Sequence, residues 1–203
     1  MKQIALIRHG LTQGNLRKCY LGKTDEPLCE EGINGLLSKK IRGFYPDAEN
    51  IYCSPMLRCQ MTVNLLYPNR EFKLVSDFRE CDFGLFEGKN YKQLSVEPLY
   101  QQWIDSNGKA PFPLGESREA FEYRCREAYK QVIKELYQET TASNNKINRT
   151  VDAVFIVHGG TIMAILSAFA MEMKDYYAWG CENGNGYLLT AMEDGRLEVI
   201  SDI

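Results

Sequence analysis

The chain has 203 residues, 44% of them hydrophobic and 25% charged, ordinary proportions for a soluble globular protein of one domain. Twenty-four Lys and Arg against 27 Asp and Glu give a formal charge of −3, so no global basic field is available to hold a nucleic-acid backbone. No run approaches the roughly 20 continuous apolar residues of a membrane span, and the first apolar run follows a single Lys2 with no small-residue cleavage site behind it. The expectation is a soluble, unprocessed, cytoplasmic protein with neither membrane nor nucleic acid as partner.

The seven cysteines (Cys19, Cys29, Cys53, Cys59, Cys81, Cys125, Cys181) are odd in number, scattered, and contain no C-x-x-C pair. That pattern predicts free thiols in a reducing compartment rather than a disulfide framework or a zinc knuckle.

In chain order, Gln3 to Ile7 reads as a buried strand stopped by Arg8-His9-Gly10. Helical spacing of Ile33, Leu36, Leu37 and Ile41 predicts a helix over 29–42, closed by Gly43 and Pro46. A second strand is predicted over 50–54. Pro55 then stands as the first residue of a helix whose apolar face is Met56, Cys59, Val63 and Leu66. Residues 72–76 predict a third strand. The stretch 77–115, interrupted by Gly84, Gly88, Gly108, Pro111, Pro113 and Gly115, reads as an insertion-like part of the chain, with one short helix near 91–104. A long helix is predicted over 116–138 and a polar loop over 139–150. Residues 152–157 give the strongest strand signal, apolar after Asp152 and ending at His158-Gly159-Gly160 before a helix to about Met171. Residues 186–193 and 196–201 flank Asp194-Gly195 as a hairpin with a two-residue turn. Strands alternating with helices and closing on a hairpin predict an α/β three-layer sandwich, its sheet mainly parallel with an antiparallel edge.

Ligands of open α/β sheets gather beyond the carboxyl ends of the strands. His9 and His158, the only two histidines, both stand at such ends, each followed by glycine. Glycine there lets main chain approach a ligand without a side chain in the way. No H-x-x-x-H or D-x-D spacing offers a metal site, so neither metal nor cofactor is expected.

LIRHGLTQGN (6–15) resembles the signature of the histidine phosphatase superfamily, in the branch holding cofactor-dependent phosphoglycerate mutases, fructose-2,6-bisphosphatases and α-ribazole phosphatases. The resemblance continues through DEPLCEEG (25–32), SPMLRCQMT (54–62), ECDFGLFEG (80–88), GES (115–117) and VHGG (157–160), and so covers nearly the whole chain. It implies that His9 is a nucleophile that becomes phosphohistidine, with Arg8, Arg58 and His158 around the phosphoryl group and Glu80 as the proton donor. Phosphoryl transfer places charge on equatorial oxygens, so fixed cations and N–H donors suit it. Those cations should also keep the His9 imidazole neutral, its second nitrogen held by a main-chain carbonyl. His158 is expected as a donor to the phosphate, protonated or carrying a proton on its inward nitrogen.

Asn15, Thr12 and Gly159 are the expected smaller contacts to the substrate, with helix capping an equal reading for Thr12. Glu87 rivals Glu80 but suits a structural partner of its turn, and Asp82 reads as a solvated loop residue. Where the family has Glu, Thr and Trp, this chain has Leu11, Cys29 and Phe86. The activity implied is metal-independent hydrolysis of a small cytosolic phosphomonoester; length and spacing resemble the α-ribazole phosphatases, which makes α-ribazole 5′-phosphate a candidate substrate. A mutase is the first rival, opposed by the shortness of 81–115, and a non-catalytic phosphate-binding module is the second. The resemblance implies that 77–115 covers the pocket, and its six aromatic residues, Phe83, Phe86, Tyr91, Tyr100, Trp103 and Phe112, against only three lysines, Lys89, Lys92 and Lys109, favour an apolar or flat leaving group.

Overall fold

A computed structural model describes residues 1–138 and 150–203. Its elements in chain order are β1 (Lys2–Arg8), α1 (Gln13–Leu16), α2 (Glu30–Ile41), β2 (Asp47–Cys53), α3 (Leu57–Leu66), β3 (Lys73–Leu74), α4 (Tyr91–Leu94), α5 (Pro98–Asp105), α6 (Arg118–Gln138), β4 (Thr150–Val157), α7 (Gly159–Phe169), β5 (Gly186–Ala191) and β6 (Leu197–Asp202). The polar loop expected over 139–150 lies outside the described residues except for Thr150, which opens β4.

The six strands form one sheet in the order β3-β2-β4-β1-β5-β6. β3, β2, β4 and β1 pair in parallel, while β1 with β5 and β5 with β6 pair antiparallel. This is the mainly parallel sheet with an antiparallel edge that the sequence predicts.

Alternation along the strands sorts side chains onto two cores. Ile4, Leu6, Ala153, Phe155 and Val157 face α6 and α7, and Ala5, Ile7, Ile51, Val154 and Ile156 face α2 and α3. Both faces of β1 and β4 are therefore dry, which is why these strands read as continuous apolar runs. Asp152 is the one charged residue in β4, and it is buried; its carboxylate accepts from Gln3 N at 2.7 Å and pairs with Lys2 Nζ at 3.5 Å.

Four local expectations change. Met56, not Pro55, immediately precedes α3, leaving Pro55 outside the helix. The third strand shrinks to Lys73–Leu74, an exposed edge that meets only β2. The single helix near 91–104 is two helices: Asn90 caps the first through bonds from Lys92 N and Gln93 N, both 3.1 Å, and Pro98 opens the second. Proline biases the residue before it away from helix, and Glu97 is extended at φ −89°, ψ 118°. The hairpin turn is wider than two residues, closed by Met192 N donating to Arg196 O at 2.9 Å, with Gly195 at φ +89°.

Cys29 precedes the first residue of α2 in extended backbone and makes no side-chain cap, although Glu30 and Glu31 already favour that helix end. Cys29→Thr supplies the missing oxygen. The expected gain is about 1 kcal/mol, or about 2–4 °C in Tm for a chain of this size. Thermal unfolding followed by circular dichroism checks it; no rise would show that this buried position cannot take the added methyl group.

Candidate active site

β1 and β4 are parallel neighbours, and the pairing that sets Arg8 opposite Val157 brings the next residue of each strand together. His9 N donates to Val157 O at 3.0 Å, and the His9 and His158 rings lie 5.1 Å apart at 67°. His9 Nδ1 is 2.7 Å from Gly10 O. A carbonyl only accepts, so Nδ1 carries the proton and Nε2 keeps its lone pair. Burial, then Arg58 and Arg8, hold the His9 pKa well below its ordinary 6.5. The carbonyl foreseen from the sequence is that of Gly10.

His158 is fully buried, its Nε2 2.7 Å from Ser54 Oγ. Burial, then Arg58, His9 and Arg8, push its pKa well below 6.5 as well. Of the two forms expected for His158, the neutral ring carrying one proton is therefore favoured over the protonated one: a third cation beside the Arg58 and Arg8 guanidinium groups is too costly in a buried place. A neutral ring can still present one N–H.

Arg58 is completely buried, and its bonds go to main-chain carbonyls: Nη1 to Thr24 O at 2.9 Å, Nη2 to Gly22 O at 3.0 Å and Leu21 O at 3.3 Å. Glu87 fastens that loop, accepting from Gly22 N at 3.0 Å, Lys23 N at 3.0 Å and Thr24 Oγ1 at 2.7 Å, as well as from Phe83 N at 3.1 Å. Glu87 thus has the structural place expected of it. Arg8 Nη1 donates to Cys181 O at 2.7 Å. The Nε atoms of both arginines are buried without an acceptor.

Glu80 lies against the start of α7, where its carboxylate accepts from Gly160 N at 3.1 Å and from Cys81 N at 3.0 Å. Burial raises its pKa, opposed by those two bonds and by Arg58 and Arg8. The two glycines after His158 have separate uses. A Cβ on Gly159 would press on the Arg8 guanidinium at 3.3 Å, and one on Gly160 would stand 2.3 Å from Glu80 Oε1. The main chain carrying Glu80 is clamped by Arg124, which donates to the carbonyls of Asp77, Arg79 and Glu80 at 2.8, 2.7 and 3.0 Å. Glu116 holds Arg124 from both sides of its carboxylate at 2.7 and 2.8 Å.

Arg8, Glu80, Gly159 and Gly160 also line a pocket of about 330 Å³. Its remaining walls are largely aromatic: Tyr20, Phe83, Trp103, Phe112, Phe121, Tyr176 and Tyr177. Of the six aromatics expected to cover the site, Phe83, Trp103 and Phe112 line it, Phe86 and Tyr100 pack in the small core behind them, and Tyr91 is exposed.

The sequence profile of the histidine phosphatase superfamily (branch 1) matches residues 4–201. The chain belongs to that superfamily. A candidate phosphoserine phosphatase of Hydrogenobacter thermophilus is 28% identical over 177 residues, 82% of this chain and 77% of that one. The adenosylcobalamin/α-ribazole phosphatase of Escherichia coli is 30% identical over 125 residues, 59% of this chain and 61% of its own length. In fold, the crystal structure of the α-ribazole phosphatase from Shigella flexneri superimposes with a TM-score of 0.78 at 21% identity, covering 97% of this chain and 95% of that one.

In this histidine phosphatase Thr12 and Asn15 form a reciprocal cap on α1: Asn15 N donates to Thr12 Oγ1 at 3.2 Å and Thr12 N to Asn15 Oδ1 at 3.3 Å. The capping reading of Thr12 is the one the geometry displays. Asn183, which no motif singles out, donates to His9 O at 3.1 Å and to Asn15 Oδ1 at 3.1 Å, tying the loop after β1 to the turn before β5. Ser54 and Thr62 stand inside the quoted S-P-x-x-R-x-x-x-T stretch, and that spacing was their signal; Thr62 Oγ1 takes Gly10 N at 3.1 Å. Asp82 is no free loop residue, since it accepts from Gly84 N at 2.9 Å and pairs with Lys23 Nζ at 3.1 Å. Among the described residues no three His, Cys, Asp or Glu side chains gather as a metal site.

The depressed histidine pKa values make stability pH-dependent. Below about 6.5 the unfolded chain binds more protons than the native one, so stability falls as pH falls. The slope reaches about 1.4 kcal/mol per pH unit for each histidine. Raised Glu80 works in the opposite sense, its contribution present at low pH and lost as pH rises through its native value. Urea unfolding at pH 7.0 and 5.5 should show the loss, smaller in His158→Asn. An unchanged slope in that variant would mean that native His158 titrates normally.

Proposed function

We propose that the protein is a metal-independent phosphomonoester hydrolase working through phosphohistidine at His9, with one domain spanning the chain and residues 77–115 covering the leaving-group pocket. The observation that carries this reading is the geometry of His9: its buried ring sets Nδ1 2.7 Å from Gly10 O, which commits the Nδ1 proton, and burial with two arginines holds its pKa low, which favours an unprotonated Nε2. A neutral imidazole so oriented is a nucleophile. The orphaned Nε atoms of Arg8 and Arg58 are donors in want of an anion, and guanidinium groups suit phosphoryl oxygens because they never deprotonate.

In the first step Nε2 bonds to phosphorus while the ester oxygen leaves, taking the proton of Glu80, whose burial favours the neutral acid. In the second, the Glu80 carboxylate takes a proton from water, water oxygen bonds to phosphorus, and the phosphorus–nitrogen bond breaks to release phosphate. His158 and Gly159 complete the phosphoryl cradle, and Asn15 borders it. Relatives carry both phosphatase and phosphoglycerate mutase names; the shortness of 81–115 is what favours hydrolysis over the mutase reading, and the presence of all five core residues opposes a purely binding role. The aromatic walls support an apolar or flat leaving group, α-ribazole 5′-phosphate among the candidates. Free thiols at all seven cysteines, together with the absence of a helix among the described residues that could cross a membrane, support a cytoplasmic place.

His9→Ala should abolish turnover of phenyl phosphate without loss of fold. Wild-type protein quenched in alkali during turnover should carry an acid-labile, alkali-stable phosphoryl group, and activity should persist in EDTA. Substantial turnover by His9→Ala would overturn the covalent route.

Glu80→Gln should be selective in its damage, because a proton matters most when the leaving alkoxide is a strong base. The phosphorylation step should slow by about 10²–10⁴ for an alkyl phosphate and clearly less for p-nitrophenyl phosphate. Single-turnover rates decide; equal losses would place the acid elsewhere.

A further inference from the structure

The aromatic pocket has one wall that neither hydrolysis nor an apolar leaving group explains. Arg118, the first residue of α6, lines the same cavity as Arg8 and Glu80. Its guanidinium carbon lies 3.8 Å from the centroid of the Tyr176 ring, a cation–π contact that braces it there. Its Nε donates to Glu122 Oε1 at 2.6 Å. Glu122 is shared, because its other oxygen accepts from Arg126 Nη2 at 2.6 Å. Two guanidinium groups against one carboxylate leave a positive charge uncompensated, and both Nη atoms of Arg118 are without a partner among the described residues.

We propose that Arg118 is a subsite for a carboxylate carried on the leaving group, so that the preferred substrates are phosphomonoesters with a flat or apolar body ending in a carboxylate. This deepens the hydrolase reading and rests on it for the position of the ester in the pocket. The chemistry selects the anion. A planar guanidinium held by Tyr176 and Glu122 can offer its remaining N–H groups side by side, the pairing that a carboxylate accepts in bidentate fashion. Enclosure by aromatic walls lessens the screening such a pair would suffer at an open surface. A neutral ring would stack on the same walls but leave the fork unpaired. The cation was invisible to a reading that sought basic residues only within 77–115, because α6 supplies it.

The test measures binding apart from turnover. In His9→Ala protein, which leaves the ester intact, calorimetry gives dissociation constants for phenyl phosphate, 4-carboxyphenyl phosphate and the uncharged 4-carbamoylphenyl phosphate. The carboxylate should bind about tenfold more tightly than either neutral ester, the range of a charge-assisted hydrogen bond. Adding Arg118→Met should bring the ratio to about one, while Arg118→Lys, which keeps the charge but not the fork, should fall between. If Arg118 serves only to brace Tyr176, the Met variant weakens all three esters alike and the ratio stands, which overturns the subsite. Equal affinity for all three esters in the His9→Ala protein, or failure of all three to bind at millimolar concentration, overturns it as well. Hydrolysis of phenyl phosphate by the wild type is read separately: its failure with the carboxylate preference intact would remove the hydrolase reading and keep the subsite.

Discussion

Two guanidinium groups set beside two neutral imidazoles form the constraint on which the rest of the molecule depends. A fully buried cation is expensive, and Arg58 offsets that cost with main-chain carbonyls rather than with a carboxylate. Neutral acceptors satisfy its hydrogens without cancelling its charge. The field that remains lowers the pKa of both His9 and His158. Much of the nearby structure exists to hold these carbonyls still: Glu87 gathers the amides of residues 22 and 23, and the loop they belong to presents the oxygens of Leu21, Gly22 and Thr24 to Arg58.

The fold was legible because two strands buried on both faces carry unbroken apolar runs at their centres, and because each is followed by a histidine and a glycine. Ile4 to Ile7 and Ala153 to Val157 announce themselves by composition alone. What stayed hidden has physical reasons. The edge strand β3 has little burial to pattern it. The break between α4 and α5 turns on Pro98, which a count of aromatic spacing overlooks. Most of the candidate site residues stood in motifs, Glu116 among them within GES, whereas Asn183 and Arg124 act through main-chain oxygens, contacts that leave no spacing signal between residues so far apart in the chain.

The pocket beside the site is assembled from stretches distant in the sequence, α6 among them. Tyr20, in the loop after α1, packs its ring against Phe83, Phe86 and Trp103 and takes Gly88 N on its carbonyl at 2.9 Å, which fastens residues 77–115 to that loop. Tyr176 and Tyr177 arrive from the turn after α7. These aromatic walls come from other stretches of the chain than the β1 and β4 ends where the two histidines stand.

Burial also resolves an apparent conflict in the protonation states. Arg8 and Arg58 lower the pKa of Glu80 as well as that of His9, which on its own would leave the acid without its proton. A bound phosphate dianion cancels much of that field at both groups. What persists is desolvation, the largest influence on each, and desolvation favours whichever form is uncharged. For an imidazole the uncharged form is the nucleophile; for a carboxyl it is the acid. In the proposed mechanism a single physical condition, burial at the ends of β1 and β4, thus favours in both groups the forms the first step needs, and the arriving substrate would itself supply the charge that lets Glu80 take up its proton.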